Sequence, residues 1–378
     1  MRLTEEHEEL RAAVRQLLQR HPGQAAWRPL AGQIGVAGLA VPEEYGGAGC
    51  GAVEVHVVME ELGRELSPVP YLGSAVLVVQ ALLASGSAEE CGALLPGLVS
   101  GGTTAALAWA EGGSWDPEAV RAEAVAGPRG GWRLTGVKEH VLDGARAGTL
   151  LVAARTGAGV SLFAVPGDGP GVVREETVPM DATRAQARVV LTGAEGRLVG
   201  TDGDGGRVLR HVLDLACTAL AAEQVGAAAR CLELTVAYAG ERVQFGRPIG
   251  SFQAVKHRLA DAYVRVESAR SAALGAAFAA ADGTRGAELT RLAATAKSVC
   301  SEAFAEVAGE TIQLHGGIGI TWEHDAHRYF KRAHGSARLF GPPHWHRSRL
   351  ATALGLPDPV TAPGPVPVRD SVPGSVSR

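Results

Sequence analysis

ERVQFGRPIGSFQAVKHRLAD, residues 241–261, separates two long apolar runs that otherwise repeat with a helical period. Gly240 just before it, and Gly246 and Gly250 within it, break those helices, so Arg242, Gln244 and Phe245 fall on an irregular connection from which side chains can reach a neighbouring subunit. Outward from this connection, the 3.6-residue period runs through 207–239, 252–281, 288–314 and 322–333, and after a short break continues towards 354. Segments of that length pack as a four-helix bundle, which sets a carboxy-terminal domain over 201–355.

Upstream, residues 105–200 change texture to short β-type runs (WRLTG, TLLVAAR, GVSLFAV, ARVVL) separated by Gly, Pro and Asp, which predicts a small β barrel or sandwich. Residues 1–104 return to helices, with Leu10, Val14, Leu17 and Leu18 on one face of the first, a glycine-rich loop VPEEYGGAGCG at 41–51, and a second periodic run over 53–66. The last stretch, 356–378, is rich in Pro, Val and Ser without a period and is expected to be a disordered tail. The fold class is therefore α+β and multidomain, in the order helices, β unit, bundle. That order excludes a doubly wound nucleotide-binding fold, and the glycine loops at 46–51 and 203–206 lack the fingerprint spacing such a fold needs.

The 378 residues are 46% hydrophobic and 20% charged, enough to bury a large core. Thirty-six basic and 40 acidic residues are spread along the chain, so no basic field exists to attract a polyanion, and nucleic acid is not an expected partner. MRLTEEHEEL at the amino terminus is polar and acidic, unlike a secretion signal, and the apolar run 75–84 is too short to cross a bilayer; a cytoplasmic protein without membrane insertion is expected. Cys50, Cys91, Cys217, Cys231 and Cys300 show no paired or metal-like spacing and read as reduced thiols. His315, His324, His327, His334, His344 and His346 crowd the carboxy-terminal region, but no carboxylate or cysteine set completes a coordination sphere, so no metal is expected.

The connection at 241–261 and a second segment, IQLHGGIGITWEHDAHRYFKRAH at 312–334, resemble the carboxy-terminal signatures of the acyl-CoA dehydrogenase family, and the order of domains resembles that family from about residue 3 to 354. The resemblance implies FAD as cofactor, bound at a subunit interface. It implies that Arg242 pairs with the pyrophosphate of a partner's FAD, that Phe245 packs on the cofactor beside Gln244, and that Gln253 meets its adenine end. Taken alone, Arg242 would be read as a helix-end cation. Gln313, Leu314, His315, Gly316 and Gly317 would line the pyrophosphate and adenosine, the glycines letting backbone amides approach. The implied reaction is α,β-dehydrogenation of an acyl-CoA or acyl-carrier thioester, with hydride to flavin and electrons onward to an electron-transferring flavoprotein or similar acceptor. The implied assembly is a homotetramer, or a heterotetramer with a paralogue.

Three features depart from the family pattern: the base, the flavin-facing pair and the loop before it. The glutamate that removes the α proton in most members is matched by Phe340 in HGSARLFG, and the alternative position in the first bundle helix by Ala216. Glu223, about two turns beyond Ala216, is the expected displaced base, ahead of Asp214 and His344. The Trp and Thr that face the flavin in many members are matched by His140 and Leu142, and the Thr-Glu-Pro-Gly loop by Ala110 to Gly113. The departures point to a branch acting on bulky or unusual acyl groups, either alone or as a non-catalytic subunit that shares the FAD of a paralogue, or else to a repurposed flavoenzyme acting on a carrier-bound acyl group.

Overall fold

The computed structural model describes residues 2–127 and 131–356, so the expected tail lies, but for its first residue, outside the described residues. The amino-terminal region packs α1 (Glu5–Arg20) on α2 (Ala52–Arg64), followed by a π-helical segment Tyr71–Val78 that runs directly into α3 (Val79–Ser85), and by α4 (Ala88–Val99). Thr4 and His7 form a capping box that starts α1. The apolar run 75–84 is buried within the 71–85 segment, as its composition requires.

Among the described residues nine strands follow: β1 (Ala105–Ala108), β2 (Glu123–Ala126), β3 (Trp132–Leu142), β4 (Thr149–Thr156), β5 (Gly159–Pro166), β6 (Val172–Glu176) and β7 (Gln186–Val199) in one sheet, then β8 (Val243–Gln244) and β9 (Arg247–Pro248) as a small hairpin. The pairings β4–β5–β7–β3–β2 return to β4 through Glu123 and Arg155, so the sheet closes into a barrel, with β1 and β6 added outside the ring. Its interior is apolar around Leu134, Phe163, Val189 and Leu191.

The bundle consists of α5 (Gly205–Glu241), α6 (Gln253–Ala281), α7 (Gly286–His315), α8 (Ala326–Arg338) and α9 (Pro343–Ala353). Two expectations change here. The last periodic segment begins at Ala326 rather than Trp322, because the stretch before it turns, and it is two helices, broken where Phe340, Gly341 and Pro342 leave helical geometry. Among the described residues one helix, α5, is long and apolar enough to cross a membrane, but 94% of that apolar window is buried inside this chain. It crosses α2 at backbone contact: a Cβ on Gly63 would lie 2.0 Å from the Glu223 carbonyl, and one on Gly226 1.9 Å from the Glu60 carbonyl. This crossing fixes the helical region on the bundle and positions Glu223 and Glu60.

Candidate active site

Five non-glycine residues among the described ones hold a left-handed backbone: Leu66, His140, Asp143, Phe245 and Phe340. Such a conformation costs on the order of 1 kcal/mol or more for bulky side chains and persists where the surroundings impose it. His140, Phe245 and Phe340 are the strand end, the hairpin tip and the base position singled out in the sequence, so backbone strain marks these places independently of the side chains they carry.

Phe340 follows α8, whose final turn is tied down by Lys297: its Nζ donates to the carbonyls of Ser336 (3.1 Å) and Ala337 (3.2 Å) and to Ser301 Oγ (2.9 Å). Burial lowers the Lys297 pKa to about 8. His346 Nε2 donates to the Phe340 carbonyl (2.9 Å) and Arg349 Nη1 donates to Nδ1 (3.4 Å), which fixes the neutral tautomer. Burial and the cations Lys297 and Arg349 push this imidazole down to about 3. The Phe340 ring, fully buried, lies parallel to Trp109 (centroids 5.9 Å, 7°) and edge-on to Trp115 (5.1 Å, 76°). Trp115 also stacks on His140 (5.9 Å, 27°), and Trp109 Nε1 donates to the Trp115 carbonyl (3.2 Å).

Trp115 thus stands between the residue matched to a flavin-facing side chain, His140, and the residue matched to the base, Phe340. The loop carrying it is pinned by Glu111, which accepts from the amides of Arg121 (2.7 Å) and Ala122 (3.0 Å) and from buried Lys138. Leu142 is buried, and His140 Nδ1 is engaged with Gln186 Oε1 (3.0 Å). Trp115 packs against both His140 and Phe340, so an indole lies between the two positions in this chain. Of the two cofactor contacts the sequence suggested, Leu142 is buried, whereas His140 is exposed and engages only its Nδ1.

Glu223 is also placed differently from its expected role. Arg332 Nη1 donates to its Oε1 (2.5 Å) and Arg184 Nη2 donates to the same oxygen, while Arg332 Nε binds Asp181 Oδ2 (2.6 Å) and its Nη2 the Thr183 carbonyl (2.9 Å). Burial alone would raise the Glu223 pKa; the two guanidinium groups overcome this and hold it below the usual range. A carboxylate so paired is a poor base, and Glu223 reads as the anchor of a buried ion cluster. Asp214 is similarly occupied by Thr290 Oγ1 (2.7 Å) and Arg349 Nη2 (2.7 Å), and His344 is exposed on α9. Ala216 is buried in the same core as Phe340. The sequence reading missed Asp143, whose carboxyl lines a cavity of about 30 Å³ with Leu142, Arg184 and Glu223 and is raised by burial to about 6. The Asp-Gly pair at 143–144 was legible as a turn; its burial was not.

The hairpin arm is the reverse of this cleft. α5 ends at Glu241, the Arg242 amide closes onto the Tyr238 carbonyl (2.8 Å), and β8 and β9 present Phe245 at their tip, 91% exposed. Among the described residues the Arg242 side chain is exposed and makes no ion pair. Phe252 meets Phe245 edge-on (6.2 Å) and lies under Arg247 (4.1 Å), while Gln253 Nε2 is 2.8 Å from His257 Nε2. Tyr238 joins the two motifs: its ring stacks on His315 (4.4 Å) and its hydroxyl donates to the His315 carbonyl (3.3 Å). His315 Nδ1 donates to the Thr311 carbonyl (2.7 Å), which leaves Nε2 buried without a partner. Gln313, Gly316 and Gly317 are exposed beside it, and Leu314 is half-buried. The uncommitted cation and open glycine backbone suit the phosphates, and the exposed aromatic suits the ring, of a dinucleotide approaching from outside.

A helical region, a closed barrel and a helical bundle with this projecting arm define the fold of a flavoprotein oxidoreductase. Residues 4–102 match the family model for the acyl-CoA dehydrogenase N-terminal domain and residues 203–355 that for the C-terminal domain. The chain belongs to the acyl-CoA dehydrogenase family, whose members are oxidoreductases acting on CH–CH groups of acyl-CoA thioesters with FAD as cofactor. It is 38% identical to acyl-CoA dehydrogenase IpdE2 of Mycolicibacterium smegmatis over 92% of this chain and 98% of that protein. Among solved structures, a variant of the Tcur3481-Tcur3483 steroid ACAD superposes with a TM-score of 0.83 at 34% identity, covering 93% of this chain and 98% of that one. The ChsE4-ChsE5 complex from Mycobacterium tuberculosis superposes with a TM-score of 0.85 at 31% identity, covering 94% and 99%.

Proposed function

We propose that this chain is the supporting half of a two-chain, FAD-dependent acyl-CoA dehydrogenase that acts on the thioester of a bulky, ring-bearing acid. It lends its hairpin arm to an FAD whose ring and catalytic carboxylate are seated in a paralogous partner. The observation that carries this reading is Trp115 between His140 and Phe340: the place for a flavin and its base is packed with aromatic side chains, while the arm is open. FAD when bound supplies the acceptor for the β hydrogen of the thioester. This chain's part is to bind and orient it, with the Arg242 fork on the pyrophosphate, Phe245 against the cofactor, Gln253 towards the adenine and the Gln313–Gly317 backbone along the phosphates. The relatives support the assembly and the substrate class: one solved structure is described as a complex of two named proteins, and another as a steroid enzyme.

A second reading has a specific observation in its favour. If the chain is active alone, Asp143, raised to about 6 by burial, is better suited to accept a proton than the doubly paired Glu223. The test is to purify the chain alone and together with a glutamate-bearing paralogue, record the flavin spectrum of each and add acyl-CoA thioesters anaerobically. The supporting-subunit reading expects bleaching only in the mixture; bleaching by the isolated chain that Asp143→Asn abolishes would replace it with the second.

A further inference from the structure

A chamber of about 260 Å³ lies away from both the arm and the aromatic cleft, between α2, the 71–85 segment and α5, with the turn from α6 to α7 at its mouth. Val76 and Leu83 form one wall, and Leu215 and Ala219, one turn apart on α5, form the opposite one. His56 of α2 faces into it. This imidazole is 1% exposed, and neither ring nitrogen has a hydrogen-bond partner. Its nearest charged neighbour, Glu60 Oε2, is 3.8 Å away and already accepts from Arg11 (2.8 Å), with Arg270 on its other oxygen. Burial therefore keeps the ring neutral, with one nitrogen to donate and one to accept. A second polar group on the wall, Thr218 Oγ1, already donates to the Asp214 carbonyl (3.0 Å).

Orphaned buried polar groups are rare in folded proteins, because an unmade hydrogen bond in a dry environment is costly. The space beside His56 is several times the roughly 30 Å³ share of one water and just below the ~300 Å³ of ordinary ligand pockets. At the mouth, Arg285 Nη1 lies 2.6 Å from His211 Nε2, so the outer rim is polar, while the aliphatic walls inside carry Gln80 and Thr218 besides His56. We propose that this chamber binds a compact, ring-sized apolar molecule bearing one hydroxyl or keto oxygen, which His56 recognises at the inner end. The oxygen completes the imidazole's hydrogen bonding and the ring covers the aliphatic walls. The same chemistry could be a free molecule or the far end of a bulky acyl group, and it does not depend on which chain holds FAD.

The probe is 2-tetralol, with tetralin as its oxygen-free control, titrated into the full chain by calorimetry while the ¹³C-labelled His56 ring is followed by NMR. The expected result is one site per chain, a shifted His56 resonance and tetralol binding about tenfold tighter than tetralin. His56→Leu, which replaces an unpartnered polar group with an apolar one and leaves the fold intact, should remove the preference; Ala219→Phe, acting from the other wall, should remove binding of both probes. A bicyclic CoA thioester bearing the same hydroxyl, bound more tightly and equally sensitive to both variants, would assign the site to the acyl group, and equal affinity to a free molecule. Equal binding of tetralol and tetralin, binding that survives Ala219→Phe, or an unmoved His56 resonance at the solubility limit would overturn the proposal.

Discussion

The hairpin at Val243–Pro248 and the cleft around Phe340 serve one cofactor site in the reading the sequence suggests, yet this chain has built them in opposite ways. In the hairpin a phenylalanine stands 91% exposed on a left-handed backbone, beside an arginine that makes no ion pair within the described residues. In the cleft another phenylalanine, equally strained in its backbone, has no exposed surface and lies against two tryptophans. Folding by itself favours the second arrangement and disfavours the first, since leaving a large aromatic in water forgoes about 1.5–3 kcal/mol of burial. An exposed Phe245 has no explanation within this chain's own packing and fits the proposed cofactor contact, whereas a buried Phe340 is explained by this chain alone. The same division separates what a subunit gives to an assembly from what it keeps.

The sharpest way to break the comparison is to put back the acid. Phe340→Glu inserts a carboxylate among buried aromatic rings and removes the stacking on Trp109, so the loss of stability should be on the order of 3–5 kcal/mol, without flavin reduction appearing. Urea unfolding checks the first part and anaerobic acyl-CoA addition the second. A stable variant that bleaches flavin would mean that the cleft is an active site lacking only its base. Glu223→Gln tests the neighbouring cluster: it leaves Arg332 and Arg184 short of a counter-charge and should destabilise by about 3–5 kcal/mol, the usual cost of breaking a buried pair. The mixed enzyme, once folded and saturated, should keep its turnover. A hundredfold fall in rate without loss of stability would restore Glu223 as the base.

The hairpin is readable from sequence because its chemistry is contiguous: Arg242, Gln244, Phe245 and Gln253 sit within one segment whose glycines announce a loop. The bundle is readable for a similar reason, since a helical period needs only local sequence, although the break at Phe340–Gly341 reads there as a short gap rather than the start of a second helix. The closure of the barrel is not, because β1 pairs with β4 in parallel and β2 touches β4 at a single residue pair, neither of which leaves a local signature. The cleft is illegible for the same reason. Trp109, Trp115, His140 and Phe340 come from a loop, a strand end and a helix break, and nothing in any one of those segments shows that the indole of Trp115 closes the gap between the other two. Glu223 stands out in sequence for its place along α5, but its partner Arg184 lies in the β unit and its partner Arg332 on α8, where Arg332 also holds Asp181 and Thr183 of the β unit.

On the hairpin side, Arg242→Ala should weaken FAD retention in the assembled protein by about 1.5–3 kcal/mol, roughly tenfold to a hundredfold, with helical content unchanged. The exposed, unpaired side chain has no structural duty to lose. Fluorescence titration of released FAD reads the affinity and circular dichroism the fold. Unchanged affinity would take Arg242 out of the site and leave the exposed arm without a chemical reason.

The smallest effect separates the two regions by pH. His346, which holds the Phe340 carbonyl, has its pKa depressed to about 3 by burial and by Lys297 and Arg349, and burial takes His56 and His211 down to about 4, each helped by nearby arginines. An unfolded chain protonates these rings near 6.5, while the folded chain keeps them neutral, so the unfolded state binds more protons and stability falls as pH drops from about 6.5 towards 4. Between pH 6.5 and 5.5 each such histidine should cost about 1 kcal/mol. His346→Gln keeps a donor for the Phe340 carbonyl and removes one titrating ring, so its stability should decline less steeply over that interval. Amide exchange should place the acid-induced opening in the residues around Phe340, and not in the hairpin, where no buried histidine sits between Arg242 and Phe252. A hairpin that opens first, with His346→Gln as acid-sensitive as the parent, would show that the aromatic cleft is held by its packing alone and that His346 adds nothing to its closure.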